Sequence, residues 1–287
     1  MPKTKIICTI GPASSSPDTI RAMIQNGMNV ARLNFSHGTH ADHADKIVLI
    51  RAIAAELNQP VAILQDLCGP KIRVGLIPDP GIELKPGETF ILTSDDVMGN
   101  HRRVAVSYGG LPTDVNVGDR LLLADGMMEL EVMHSAGSDI TTRVVIGGLL
   151  TSHKGVNLPT GSMRIKALTD KDRTDLEFGL VHDVDYVALS FVRSVDDIHE
   201  IKALIADQGR RTPVVAKIEK HEALDHIDAL IDAADAIMVA RGDLGVELGY
   251  AEVPGVQKTI IRVARDKNRI VITATQMMES MIREPLP

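Results

Sequence analysis

Apolar residues in the early part of the chain occur in short β-branched runs separated by longer stretches with helical periodicity. Runs at residues 5–10, 30–35 and 61–67 are each followed closely by a Gly-containing turn, which indicates strands. Helices are predicted at the stretch that opens at Ser16-Pro17-Asp18 and at residues 40–57. Strands and helices that alternate in this order predict a parallel α/β sheet.

The pattern changes between residues 71 and 166, where Gly-rich turns separate short strands. The turns include Val117-Gly118-Asp119 and Ala124-Asp125-Gly126, whose composition is typical of all-β segments. Because α/β alternation resumes afterwards, the sequence predicts that a β-barrel domain of residues 71–166 is inserted after the third strand.

Beyond residue 166, further strands alternate with helices. The helices are predicted at residues 170–179, 195–207, 220–228 and 253–267, and the strands at residues 186–192, 213–219, 236–240 and 269–275. These segments bring the total to about seven βα units, and eight units close a (β/α)8 TIM barrel. The predicted fold is therefore α/β, with a TIM barrel of residues 1–70 and 167–287 that lacks about its last βα unit.

Composition narrows the class of function. The 287 residues are 44% hydrophobic with a formal net charge of -7, which argues against a protein that binds nucleic acid or a membrane surface through clustered basic residues. Aromatic residues make up only 2%, so a platform for stacking bases is not expected. There is no apolar run of about 20 residues that could span a bilayer. A cytoplasmic protein is expected.

Candidate functional residues lie where the predicted barrel strands end. Catalytic groups of such barrels gather at the carboxyl ends of the strands and in the following loops. The residues found there are Arg32, Asn34, Ser36, His37, Asp66, Lys217, Glu219, Gly242, Asp243 and Thr275.

The chemistry of these residue types indicates a metal and a phosphate. Lys217 and Glu219 are two residues apart on a strand and face the same side, and Asp243 ends the neighbouring strand. Two carboxylates without Cys or His suit Mg²⁺ better than zinc. Arg32, Lys217 and Arg73 add positive charge that fits an anionic phosphate substrate. Gly242 would let backbone N–H groups approach a small carboxylate.

Each residue also has a purely structural interpretation. Arg32 could form a surface salt bridge, Lys217 and Glu219 could simply pair with each other, Asp243 could cap a helix, and Thr275 could be an ordinary strand residue. The functional interpretation is favoured because all of these residues fall at the same end of one predicted barrel.

Longer strings of the sequence resemble the pyruvate kinase family. They are Thr4-Lys5-Ile6-Ile7-Cys8-Thr9-Ile10-Gly11-Pro12-Ala13-Ser14, Ala31-Arg32-Leu33-Asn34-Phe35-Ser36-His37-Gly38, Lys154-Gly155-Val156-Asn157-Leu158-Pro159, Lys217-Ile218-Glu219, Met238-Val239-Ala240-Arg241-Gly242-Asp243-Leu244-Gly245 and Ala274-Thr275-Gln276-Met277-Met278-Glu279-Ser280-Met281. The resemblance runs from Lys3 to the last residue. It implies phosphoryl transfer from phosphoenolpyruvate to ADP, giving pyruvate and ATP in glycolysis.

The resemblance also implies a role for each candidate residue. Glu219 and Asp243 would hold Mg²⁺ or Mn²⁺, and Lys217 would neutralise charge on the transferring phosphoryl group and the enolate. Arg32 would bind phosphate, the backbone of Gly242 and Asp243 would receive the substrate carboxylate, and Thr275 would lie near the carbon that is protonated. The nucleotide side would consist of Asn34, Ser36, His37, Arg73 and Lys154. The inserted β domain would be a lid.

One departure from the family pattern concerns potassium. Many members have Asp-Thr-Lys-Gly-Pro-Glu after the third strand and need a bound K⁺, whereas this chain has Asp66-Leu67-Cys68-Gly69-Pro70-Lys71. The resemblance implies that the Lys71 ammonium substitutes for K⁺ in the region of Asn34, Ser36 and Asp66. K⁺ is therefore not expected to be required.

The second departure is the missing C-terminal part. Members of the family continue into an eighth strand and a C-terminal domain, and they assemble as tetramers, so a homo-oligomer is expected for the full-length protein. The 287-residue chain alone is expected to be poorly soluble or inactive. Two alternatives stay open: a non-catalytic or partial fragment of the enzyme, and a metal-dependent pyruvate-type aldolase or lyase on a related barrel.

Overall fold

A computed structural model describes residues 4–159, 161, 164–275 and 279–284. Parts of the sequence motifs lie outside these residues, namely Lys3, the string Gln276-Met277-Met278 after the predicted seventh strand, and residues 285–287. The predicted domain boundaries, including the β-barrel and lid character of residues 71–166, stay a prediction.

The N-terminal segment forms alternating strands and helices, as its periodicity predicts. Thr39 and Asp42 form a reciprocal capping box that starts the second helix, with Asp42 N–H donating to Thr39 Oγ1 and Thr39 N–H donating to Asp42 Oδ2. The elements are β1 (Ile6–Thr9), α1 (Pro17–Gln25), β2 (Met28–Asn34), α2 (His40–Glu56) and β3 (Ala62–Asp66).

The segment between β3 and residue 166 is built mainly from antiparallel strands. Its elements are β4 (Ile82–Leu84), β5 (Thr89–Thr93), β6 (Arg103–Ala105), the one-turn helix α3 (Leu111–Asp114), β7 (Arg120–Leu123), β8 (Met128–Ala136), β9 (Asp139–Ile146), β10 (Gly148–Leu150) and β11 (Val156–Asn157). Within the described residues they form a sheet in the order β11-β7-β8-β9-β5-β6 and a β10-β4 pair. A hydrophobic core of its own lies in this segment.

The remaining segment returns to α/β alternation. Its elements are α4 (Asp170–Val181), β12 (Tyr186–Leu189), α5 (Val195–Asp207), β13 (Val214–Ile218), α6 (Glu222–Asp225), α7 (Ile227–Ala233), β14 (Ala236–Ala240), α8 (Arg241–Leu248), α9 (Val253–Asp266) and β15 (Ile270–Ala274). Among the described helices of the whole chain, none is long and apolar enough to cross a membrane.

The α/β segments share one parallel sheet. In the described part of the chain seven strands are ordered β1-β2-β3-β12-β13-β14-β15, which confirms the predicted α/β fold class. The large core lies between one face of the sheet and the helices. The other face carries a smaller cluster that includes Ile7 from the first strand and Ile272 from the last, so the sheet curls around this cluster.

The curled sheet positions the site through its two-residue side-chain period. Leu64, Ala188 and Val215 belong to the inner apolar cluster. Residues two positions further along these strands share the same face and lie nearer the carboxyl ends. Those residues are Asp66, Ser190 and Lys217. A polar layer therefore sits directly above the inner apolar layer.

Two local predictions need correction. The helix predicted at residues 220–228 is interrupted at His226, whose φ of -122° and ψ of 20° separate α6 from α7. The first helix predicted after β14 begins at residue 253, yet α8 begins at once at Arg241. Asp243 therefore lies in the first turn of a helix, and the residue that caps this helix is Ala240 rather than Asp243.

Candidate functional site

A series of alternating charges, called the charge chain below, runs across the carboxyl ends of the strands. It consists of Arg32, Asp66, Lys217 and Glu219. Arg32 donates from Nε to Asp66 Oδ2 at 2.6 Å. Lys217 Nζ lies 3.2 Å from Asp66 Oδ1 and 2.9 Å from Glu219 Oε1. The carboxylates of Asp66 and Glu219 are 1% exposed, so each depends on these cations for compensation. Arg32 is thus not a surface salt-bridge residue, and Lys217 does pair with Glu219.

Two residues of this site were missed in the sequence, Ser190 and Phe191. The Lys217 ammonium donates to Ser190 Oγ at 2.7 Å, and the Phe191 N–H donates to Glu219 Oε2 at 2.7 Å. Phe191 has a φ of 57°, a conformation that is uncommon for residues other than glycine. Their position at the end of β12 could have identified them in the sequence, because every other barrel strand after β1 has a candidate residue at that end.

Burial and neighbouring charges shift the pKa values of both Lys217 and Glu219. Burial acts to lower the pKa of Lys217, but the carboxylates of Glu219 and Asp66 outweigh it, and the pKa lies above that of an ordinary lysine. Burial raises the pKa of Glu219, and the negative charge of Asp243 raises it further, against the opposing effect of Lys217. Glu219 and Asp243 are therefore close enough to interact.

The remaining predicted substrate residues meet where α8 begins. A side-chain carbon on Gly242 would lie 3.7 Å from Thr275 Oγ1, so Gly242 faces the end of β15. Arg241 joins the same two elements by donating to the carbonyls of Ala274 and Thr275. Thr275 has a φ of 59°, an unfavourable conformation for a β-branched residue.

The described ion pairs of Lys71 go to Asp243 and Asp125. Lys71 Nζ lies 3.3 Å from Asp243 Oδ1 and 3.7 Å from Asp125 Oδ1. Lys71 therefore adds a cation at the Asp243 end of the charge chain, and its substitution for K⁺ in the region of Asn34, Ser36 and Asp66 stays a prediction. The region of Asn34, Ser36 and Asp66 is connected to the charge chain because Asp66 belongs to both. Within this region, Asn34 Oδ1 accepts the Ser36 N–H at 3.0 Å.

Glu219 and Asp243 fit a divalent metal. They provide carboxylate oxygens from the residue after β13 and from the first turn of α8, and neither Cys nor His belongs to this pair, which suits a hard cation. Among the described residues, one Glu219 oxygen pairs with Lys217 and the other accepts the Phe191 N–H, and a carboxylate oxygen can accept a second interaction. The residues present therefore fit such an ion.

The predicted nucleotide-side residues occupy two places. Asn34 is the last residue of β2, and Ser36 and His37 lie on the loop that joins β2 to α2. Arg73 donates from its guanidinium to the His153 carbonyl at 3.0 Å, and the Lys154 carbonyl accepts from the Val74 N–H at 2.9 Å. Arg73 and Lys154 thus lie side by side where the chain enters and leaves the inserted segment.

Another buried ion pair lies beside the site, between Lys220 and Glu247. Lys220 Nζ is 2.7 Å from Glu247 Oε1, and Asn157 Nδ2 donates to the same oxygen at 3.4 Å. His221 Nδ1 lies 3.2 Å from Glu247 Oε2, and Glu222 is close enough to complete a trio of metal-ligand types. The ammonium of Lys220 already supplies the positive charge here, so we place no metal at this trio.

A stack of rings lies beneath the β2–α2 loop. The rings of Phe35 and His43 are stacked with centroids 4.0 Å apart, and those of His40 and Phe178 are stacked at 4.4 Å. The His43 Nε2 atom is 2.9 Å from the carbonyl oxygen of His37. This histidine is 3% exposed, so its charge state matters for stability.

The unfolding free energy is expected to fall as the pH falls through about 6.5, partly because of His43. Burial lowers the pKa of His43, and Lys46 on the same helix adds to this, while the His37 carbonyl, Asp175 from α4 and Asp42 oppose it. In that range the unfolded chain takes up a proton that the folded chain does not. The loss should be smaller in His43→Gln, as denaturant titrations at several pH values would measure. Equal losses in both proteins would contradict this assignment.

The parallel sheet and the charged site in its mouth define an α/β-barrel protein. The chain matches the pyruvate kinase barrel-domain family over residues 1–287. This match covers the whole chain, and the chain therefore belongs to the pyruvate kinase family.

Curated relatives of this chain are named pyruvate kinase. The chain is 52% identical over 289 residues to pyruvate kinase 2 of Synechocystis sp., covering 99% of this chain and 49% of the relative. It is 44% identical over 287 residues to the pyruvate kinase of Thermotoga maritima, covering 100% of this chain and 62% of the relative. The chain thus spans about half to three fifths of the length of these relatives.

Proposed function

We propose that the protein containing this chain transfers the phosphoryl group of phosphoenolpyruvate to ADP, giving pyruvate and ATP in glycolysis. The observation that carries the proposal is the buried Lys217 ammonium between Asp66 and Glu219 at the carboxyl ends of the strands, within a chain of the pyruvate kinase family. A coupled assay with phosphoenolpyruvate and ADP tests it. Release of pyruvate and inorganic phosphate without ADP would instead indicate a phosphatase, and no turnover of phosphoenolpyruvate would favour a lyase or a non-catalytic fragment.

In this proposal Glu219 and Asp243 hold Mg²⁺ or Mn²⁺. The ion would supply a positive charge that neutralises oxygens of the substrate during transfer. Arg32 binds the phosphate, with its guanidinium oriented by Asp66 and by the Thr9 hydroxyl at 2.8 Å.

Lys217 has the central role in the proposed transfer. Its ammonium neutralises charge on the moving phosphoryl group and then on the enolate oxygen, and Asp66, Glu219 and Ser190 keep it in place. Thr275 lies near the carbon that is protonated.

The substrate carboxylate is proposed to bind at the start of α8. The first N–H groups of a helix have no partner within the helix and favour an anion. Gly242 and Asp243 are the second and third residues of α8. Asn34, Ser36, His37, Arg73 and Lys154 are proposed to face the nucleotide.

Potassium is expected to be dispensable because Lys71 supplies a fixed cation 3.3 Å from Asp243. The rate in potassium-free buffer should change by less than about threefold, well under 1 kcal/mol, when potassium chloride is added. Lys71→Glu should make the rate depend on potassium, because it replaces the ammonium by a carboxylate. Sodium chloride at equal ionic strength is the control. Strong activation of the unchanged protein by potassium alone would contradict the prediction.

We further propose a cytoplasmic protein that forms a homo-oligomer, a tetramer as in the family, when it is full length. Neither nucleic acid nor a membrane is an expected partner. Light scattering of the full-length protein would measure the oligomeric state.

A further inference from the structure

The β2–α2 loop is attached to its surroundings at several points. The Phe35 N–H donates to the Asp66 carbonyl at 2.9 Å, and the Phe35 carbonyl accepts from Lys171 Nζ at 2.8 Å. Thr39 caps α2 at the other end of the loop. Between these points the His37 carbonyl reaches His43 Nε2 at 2.9 Å.

The hydrogen bond fixes the tautomer of His43. A carbonyl oxygen only accepts, so Nε2 must carry the proton and donate it. Nδ1 is then an unprotonated atom, and among the described residues it is buried without a hydrogen-bond partner. Phe35 stacks on the ring at an interplanar angle of 9°, which holds the ring in the orientation that aims Nε2 at the loop.

Gly38 shows how closely the loop fits this histidine. Its φ of +81° is a conformation that L side chains rarely adopt, and a side-chain carbon there would lie 3.5 Å from His43 Nε2. The loop therefore bends over the imidazole in a conformation that needs glycine.

We propose that His43 is a positioning residue for the nucleotide side of the site. Its Nε2–H group holds the His37 carbonyl, and this contact fixes the loop segment that presents Asn34, Ser36 and His37. The inference rests on the proposed function, because it takes this loop as the one that faces ADP. His43 itself is too deeply buried to contact a nucleotide.

The test compares His43→Leu, which removes the donor, with His43→Gln, whose amide nitrogen can take the place of Nε2. Hydrogen exchange is measured at the loop amides of Ser36 and His37, which donate to Asn34, and of Thr39, which donates to Asp42. Calorimetry on the full-length protein that contains this chain, and on the same variants of it, measures the affinity for ADP with Mg²⁺ and, separately, for phosphoenolpyruvate.

His43→Leu should accelerate exchange at these amides and weaken ADP binding by about tenfold, equivalent to about 1.4 kcal/mol. Phosphoenolpyruvate affinity should change by less than about threefold, and His43→Gln should recover most of both losses. If His43→Leu does not fold, Gly38→Ala carries the test, because it disturbs the loop without changing the helix, and should give the same pattern.

Equal behaviour of the Leu and Gln variants, or equal weakening of both ligands, would overturn the proposal. Unchanged exchange in the loop would overturn it as well. Failure of the proposed function would look different: the unchanged full-length protein would bind neither ligand, while the exchange measurement would still report whether His43 holds the loop.

Discussion

Replacing Lys217 by methionine should slow phosphoryl transfer by about 10³-fold and lower the unfolding free energy by about 3–5 kcal/mol. The rate falls because this ammonium is the cation proposed to meet the transferring group. Stability falls because Asp66 and Glu219, each 1% exposed, lose the ammonium that they share. A coupled assay measures the rate, and denaturant titration measures the unfolding free energy.

Two further proteins separate the catalytic effect from the structural one. In Lys217→Met/Glu219→Gln the uncompensated carboxylate is also removed, so stability should recover in part while the rate stays low. Lys202→Met removes a partly exposed lysine that pairs with Asp235 at 2.9 Å, and should change stability by less than about 1 kcal/mol. A Lys217→Met protein that is stable and turns over normally would refute both parts of the prediction.

Replacing Glu219 by glutamine should weaken Mn²⁺ binding by at least about 100-fold. The amide keeps the size of the side chain and can still accept the Phe191 N–H, but it removes the negative charge that faces Asp243. Titration with Mn²⁺, followed by electron paramagnetic resonance of the free ion, measures the affinity without any need for turnover.

The matched control is Glu222→Gln, three residues further along the same connection. It removes one member of the trio with His221 and Glu247 and should leave Mn²⁺ affinity within about threefold, less than 1 kcal/mol. The opposite result, loss in Glu222→Gln and no loss in Glu219→Gln, would move the metal to that trio and refute the proposed ligands.

The curled sheet could be predicted because each strand is a β-branched run followed by a turn or a helix. The predicted strand at residues 236–240 matches β14 in both bounds, and the predicted helix at residues 195–207 matches α5. Charged residues of the site could be predicted for the same reason, since Arg32, Asp66 and Lys217 are polar residues at strand ends.

Other features could not be read from residue type. α8 was missed because Gly242 and Gly245 disfavour a helix, and tertiary contacts such as that of Arg241 with the end of β15 override this preference. Phe191 acts in the site through its backbone N–H in a left-handed conformation, and every residue type except proline has such a group. The ion pairs of Lys71 depend on how two segments approach, which a local pattern does not encode.

The eight-residue helix α8 is also a mechanical junction between the barrel sheet and the inserted sheets. Lys71, on the outgoing connection, contacts Asp243, and Asn157, the last residue of β11, contacts Glu247. Asp243 and Glu247 are four residues apart and so share one side of the helix. A movement of Lys71 or of Asn157 would therefore shift the same short helix. Motion of the inserted segment would in this way reach the helix turn that carries Asp243.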